Sequence, residues 1–96
     1  MAIRHVVLFD FGGAEEAEIA AVIEGLNALP GKIPEIRDWS LTEDVGRRPG
    51  SFRFCLLAHF DDMGAVGRYL AHPEHTKAVA RGAAILTKLA EHDHPV

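Results

Sequence analysis

The chain has 96 residues, of which 48% are hydrophobic and 25% charged, and its formal net charge at pH 7 is −4. This composition is typical of a small globular protein and excludes a long disordered one. The negative charge gives no electrostatic reason to expect binding to nucleic acid or to an anionic membrane surface. No apolar run approaches the roughly 18 residues needed to cross a bilayer. From its length we expect one domain over residues 1–96. The single cysteine, Cys55, excludes an internal disulfide, which fits a location in the cytoplasm.

The first predicted element is a strand over residues 3–11. It is rich in β-branched and aromatic residues and stops at Gly12. Successive side chains of a strand point to opposite faces, and here both faces carry apolar residues in the middle of the strand. A strand of this kind is covered on both sides.

The middle of the chain alternates between helical and extended patterns. Apolar residues at helical spacing predict a helix over 14–29, which ends at Pro30 and Gly31. Strands are predicted over 36–42 and 52–60, and the second of these again has two apolar faces. The loop between these strands is rich in glycine and arginine, and we expect it to be solvated.

The last third begins with Asp61, the predicted N-cap of a helix over 62–71. Proline disfavours helical backbone in the residue before it, so Pro73 is predicted to start a second helix that runs to about Gly82. A weak strand over 87–96 ends the chain. The resulting order, β-α-β-β-α-β with a broken second helix, predicts an α+β, ferredoxin-like protomer with an antiparallel four-stranded sheet.

Two helical segments cover only one face of such a sheet. The opposite face would carry Val6, Leu8, Cys55 and Leu57, which a monomer would leave in water. Contiguous exposed apolar surface usually marks an interface. A homodimer joined sheet to sheet is therefore predicted.

One short segment concentrates groups that transfer protons near neutral pH. Residues 69–75 read Tyr-Leu-Ala-His-Pro-Glu-His, which places a phenol and two imidazoles around one bend of the chain. His75 falls in the first turn of the second helix. Unpaired backbone N–H groups and the positive end of the helix dipole disfavour an imidazolium there. We therefore expect a neutral, proton-accepting His75.

Three segments together resemble the stress-responsive dimeric α/β-barrel (Dabb) family: residues 3–9, 29–34 and 69–75. The resemblance covers essentially the whole chain. It implies a ferredoxin-like protomer whose sheet pairs with a second copy to close a barrel. The family includes polyketide cyclases of the olivetolic acid type, a plant hydroxynitrile lyase and many bacterial proteins of unknown activity.

The resemblance also implies a site. By position in the motifs, acid–base residues of the cyclase correspond to His5 at the first strand, Tyr69 in the helix and His75 after the bend. The sequence departs from the cyclase at one position: a further histidine of the cyclase pocket, on the third strand, corresponds to about Phe54 in this chain. The cyclase's own substrate therefore does not carry over directly.

We expect His5, Tyr69 and His75 to converge on a cavity between sheet and helices. Tyr69 would polarise a carbonyl, His75 would remove a proton from the adjacent carbon, and His5 would orient or relay. The predicted substrate-binding residues are Phe9, Ile23, Phe54, Val66 and His72.

Such chemistry needs no cofactor and suits a cyclase-like or lyase-like enzyme acting on a carbonyl-containing, polyketide-like small molecule. The alternative is a non-catalytic, stress-responsive barrel that binds an apolar ligand or acts structurally. A haem-degrading or quinone-forming monooxygenase of a related barrel fits the resemblance less well.

Two histidine pairs have a spacing that suits metal ligands. His92 and His94 would share one face of the last strand, and His72 with His75 forms a His-x-x-His pair. Neither pair has a clear third ligand in the sequence, so no metal is predicted. His59 shares a face with the apolar residues of the expected interface and is placed at the barrel or dimer boundary.

Overall fold

The computed structural model describes all 96 residues, and its elements follow the predicted order. The strands are β1 (Ile3–Asp10), β2 (Asp38–Glu43), β3 (Phe54–Phe60) and β4 (Lys88–Pro95). The helices are α1 (Glu16–Asn27), α2 (Met63–Ala71) and α3 (Pro73–Ala83), and a single 3-10 turn, Leu29–Gly31, follows α1. Each element ends within two residues of its predicted limits. No helix combines the length and apolarity that crossing a bilayer requires.

The four strands form one antiparallel sheet in the order β2-β3-β1-β4. β1 is therefore central, paired on one side with β3 and on the other with β4 along its whole length. This topology confirms the predicted α+β, ferredoxin-like protomer. The strand with the weakest sequence signal, β4, pairs with β1 along its whole length. This hydrogen bonding to a central strand compensates for its low apolar content.

The two faces of the sheet differ in burial. Along β3, residues alternate between buried and half-buried, and the buried set faces the helices. The opposite face, which we call the open face, carries Val6, Leu8, Cys55 and Leu57, all half-buried. This alternation is typical of a sheet that helices cover on one side.

Aromatic side chains form much of the core between sheet and helices. Phe9 stacks on Phe54 with ring centroids 5.5 Å apart, and Phe11 lies 5.8 Å from Phe54. Helices α1 and α3 approach closely at Gly82, where an added Cβ would lie 3.1 Å from Val22 Cγ1. A larger residue at Gly82 would push the two helices apart.

Asp62, and not Asp61, caps α2. The Asp62 carboxylate accepts a hydrogen bond from the Ala65 N–H at 2.8 Å, in the usual N-cap geometry. Asp61 instead pairs with Arg37, whose Nη2 lies 2.9 Å from Asp61 Oδ2. The prediction of Asp61 as the cap was therefore wrong by one residue, because both carboxylates suit the position and only tertiary contacts distinguish them.

His72 joins α2 to α3. Its backbone is extended, with ψ at 136°, so it ends α2, and Pro73 then occupies the first helical position of α3. The His72 Nδ1 accepts a hydrogen bond from the Glu74 N–H at 3.1 Å. One imidazole thus caps the second helix at the predicted break.

Candidate active site

A cavity of about 200 Å³ lies between the sheet and the helices, toward the β4 edge. Its walls are mostly apolar, and its polar side chains are those of His5, Tyr69, His75 and Glu91. Apolar walls with a few convergent polar groups are typical of small-molecule sites. Five of its lining residues are solvent-exposed and form what we call the mouth: Leu70, Val79, Leu86, Leu89 and Glu91.

A larger hollow of about 580 Å³ lies at the β2–β3 loop, among residues such as Asp44, Arg48 and Ser51. Its lining mixes charged and polar side chains with Leu8, Phe52 and Cys55, and none of the predicted acid–base residues borders it. The smaller, apolar cavity is therefore the better candidate for a ligand site.

His5 is held by a carboxylate on the neighbouring strand. The imidazole is 3% exposed, and its Nδ1 lies 2.5 Å from Asp93 Oδ1. Because a carboxylate accepts, the proton of a neutral His5 sits on Nδ1 and leaves Nε2 bare. His5 and Asp93 are direct partners in the β1–β4 register, so strand pairing itself creates this contact.

Tyr69 lies between the two imidazoles. Its ring centroid is 5.9 Å from that of His5 and 4.6 Å from that of His75. Burial, together with the negative charge of Glu91, raises the pKa of the Tyr69 phenol above its ordinary value. The phenol therefore stays protonated and remains a hydrogen-bond donor at neutral pH.

The Tyr69 hydroxyl forms no hydrogen bond to another protein group. Every fully inaccessible side-chain nitrogen or oxygen in the chain has a partner, so this hydroxyl must have accessible surface. Tyr69 as a whole is only 2% exposed and lines the cavity. The hydroxyl of this cavity-lining residue is therefore not engaged by another protein group.

The pKa of His75 is shifted in the opposite direction to that of Tyr69. Burial is the largest influence on its pKa and lowers it below 6.5; the nearby His5 lowers it further, whereas the Leu70 carbonyl and Glu91 act against the shift. The His75 Nδ1 lies 3.1 Å from the Leu70 carbonyl oxygen, which accepts a hydrogen bond from the Nδ1–H. Neutral His75 consequently has a bare Nε2, as a general base requires.

The structure separates the other sequence-predicted site residues. Phe9 lines the cavity. The other four predicted residues do not line the cavity. Phe54 stacks on Phe9, and Val66 is buried in the core. Ile23 packs against that core, and His72 caps α3. The cavity opens toward the β4 edge of the sheet, away from these side chains.

Two site residues were missed in the sequence, and both lie on β4. Glu91 and Asp93 face the cavity side because they alternate with residues of the open face. The sequence of β4 is mostly polar on both faces, so it does not indicate which residues face the cavity side. Only the register against β1 reveals it.

No group of three or more potential metal ligands is present. The rings of His92 and His94 lie 5.6 Å apart on β4, but they face away from the cavity. His59 accepts a hydrogen bond from Arg4 Nε at 2.9 Å, also on the open face.

The lowered pKa of His75 makes stability depend on pH. In the unfolded chain the imidazole titrates near pH 6.5, and in the folded chain it titrates lower. Between these values the unfolded state binds more protons, so the His75 contribution is complete above pH 6.5 and is lost as the pH falls through the folded pKa. We expect the free energy of unfolding in urea to decrease below about pH 6.5 and to decrease less in His75→Gln. Identical pH profiles for both proteins would contradict this expectation.

These features define a class: ferredoxin-like α+β proteins with a mostly apolar cavity, lined by histidine and tyrosine, between sheet and helices. The family model for the stress-responsive A/B barrel domain (Dabb) matches residues 3–96, so the chain belongs to the Dabb family.

Three similar proteins illustrate how widely this fold is used. An uncharacterized protein of Streptomyces coelicolor is 38% identical over 81 residues, which is 81% of this chain and 84% of the relative. A dimeric ferredoxin-like protein of unknown function from Thermobifida fusca has a TM-score of 0.88 at 29% identity, covering 100% of this chain and 92% of that one. A hydroxynitrile lyase from Passiflora edulis has a TM-score of 0.88 at 16% identity, covering 99% and 93%, a likeness of fold alone.

Proposed function

We propose that this protein is a cofactor-independent acid–base enzyme that acts on a small carbonyl compound in the cavity between sheet and helices. The observation that carries the proposal is the packing of Tyr69 on His75, with centroids 4.6 Å apart, inside an apolar cavity. Their pKa values shift in opposite directions, one raised and the other lowered. A proton donor and a proton acceptor are thereby held side by side at neutral pH.

In the proposed reaction the Tyr69 hydroxyl donates a hydrogen bond to the substrate carbonyl oxygen. His75 Nε2 then removes a proton from the adjacent carbon, and the electrons of that C–H bond form an enolate that Tyr69 stabilises. His5, oriented by Asp93, assists from the sheet side. In a cyclase-like reaction the enolate carbon attacks a second carbonyl of a polyketide-like substrate. The likeness of fold to a hydroxynitrile lyase supports a lyase-like reaction as the second form.

The cavity volume limits the part of the substrate that is enclosed. An apolar cavity of about 150 Å³ holds a benzene molecule, and this one measures about 200 Å³. We infer that it encloses a ring or short chain together with one carbonyl group. Any longer part of a substrate would extend through the mouth.

The first test uses two probes of this size in wild-type protein. With acetophenone in D₂O, we expect NMR to show deuterium entering the methyl group faster than in buffer alone. With mandelonitrile, a lyase-like enzyme would release benzaldehyde and hydrogen cyanide. Acetophenone that binds but does not exchange, together with intact mandelonitrile, would contradict the catalytic proposal and favour a non-catalytic ligand-binding barrel.

We further infer that two copies associate through the open face to close a barrel. The half-buried side chains of Val6, Leu8 and Leu57 on that face, and the dimers described for the T. fusca protein, support this inference. The single free cysteine, Cys55, supports a cytoplasmic location, where disulfides are rare.

A further inference from the structure

One carboxylate at the cavity has no partner in the protein. Four residues of β4 face the cavity side of the sheet, and two of them, Glu91 and Asp93, are carboxylates. Asp93 is bound to His5, whereas Glu91 takes part in none of the ion pairs of the chain. Glu91 therefore does not serve the fold through an ion pair.

Glu91 is also the only carboxylate that lines the cavity, and no lysine or arginine lines it. Its charge adds to the raised pKa of Tyr69 and opposes the burial that lowers the pKa of His75, so it acts electrostatically on both side chains. No lining cation offsets the negative charge that Glu91 brings to the mouth.

We propose that Glu91 is a specificity determinant of the cavity, which rejects ligands that carry a carboxylate or phosphate and favours ligands that place an ammonium at the mouth. A ligand carboxylate would lose hydration on entering and would meet a like charge, two costs that add. An ammonium would instead gain an ion pair with Glu91. The proposal rests on the proposed function only in requiring that the cavity bind small molecules.

This inference narrows the substrate class. The substrate is an uncharged or amine-bearing carbonyl compound, and keto acids and phosphorylated compounds are excluded. The reaction that supplies it must therefore deliver the carbonyl group without a free carboxylate close to the reacting carbon.

Three probes that share a benzene ring and differ in charge test the proposal: benzylamine, which is cationic at neutral pH, acetophenone and benzoate. Their dissociation constants would be measured by NMR titration for wild type and Glu91→Gln. The matched control is Glu24→Gln, which makes the same charge change at an exposed position of α1 that does not line the cavity.

In wild type we expect benzylamine to bind most tightly and benzoate least. In Glu91→Gln, benzoate should gain about tenfold and benzylamine lose about tenfold, as for unit charges interacting at the protein surface, while acetophenone changes little. Added salt should weaken the discrimination in wild type. Glu24→Gln should behave as wild type.

Equal affinities of benzoate and acetophenone in wild type, or discrimination that survives in Glu91→Gln, would overturn the role of Glu91. If none of the probes binds, the cavity is not a ligand site and the proposal falls as well. Charge discrimination without deuterium exchange would leave Glu91 as the determinant and overturn only the catalytic proposal.

Discussion

His75→Ala is expected to reduce deuterium exchange into acetophenone by roughly a hundredfold to ten-thousandfold, the usual contribution of a general base. The loss follows from removing the bare Nε2 that the Leu70 contact leaves available beside Tyr69. Because His75 is only partly buried, the thermal midpoint should move by about 5 °C or less. Exchange would be measured by NMR and unfolding by circular dichroism.

His92→Ala provides the control for this experiment. It also removes an imidazole, but from the face of β4 that points away from the cavity. Its exchange rate should match that of wild type. If His75→Ala retains full exchange while its stability falls sharply, His75 serves the fold and the proposed mechanism fails.

Leu57→Asp is expected to convert the dimer into monomers or aggregates. Leu57 lies on the open face of the central strand β3, directly opposite Val6 of β1 and Ser40 of β2. A carboxylate at this position would lose its hydration when two sheets meet, which costs several kcal/mol. Sedimentation velocity would report the change in assembly.

Ala20→Asp is the matched control, because it places the same charge on an exposed position of α1. This variant should sediment like wild type. A dimer that persists in Leu57→Asp at low micromolar concentration would place the subunit interface elsewhere.

Most of the fold was predictable because local signals agree with the tertiary structure. The proline-bracketed turn after α1 and the break at Pro73 both fall where backbone chemistry requires them. The ends of strands were harder to predict. The sequence predicts that β2 begins at residue 36, but it begins at Asp38, where pairing with His59 of β3 starts. Pairing between strands, and not local preference, determines that limit.

The candidate site was predictable only where its parts are close in sequence. Tyr69 and His75 are joined by one bend, so their proximity follows from the helix break. The register of β4 against β1 brings Glu91 to the cavity and Asp93 to His5, and no local pattern specifies that register. Phe54 of β3 and Val66 of α2 were predicted to line a cavity between sheet and helices, but the core is filled around them.

The hydrogen bond from His75 to the Leu70 carbonyl has a consequence for how the sequence can vary. The partner is a main-chain oxygen near the end of α2, so the orientation of the His75 ring depends on the path of the backbone around His72 and Pro73 as well as on packing against Tyr69. Substitutions at exposed positions such as Ala71 leave this contact in place. A change that straightens the bend would release it, even at a residue that never touches a ligand. The orientation of the His75 ring is therefore insensitive to substitution of exposed side chains and sensitive to a change in the backbone conformation of the bend.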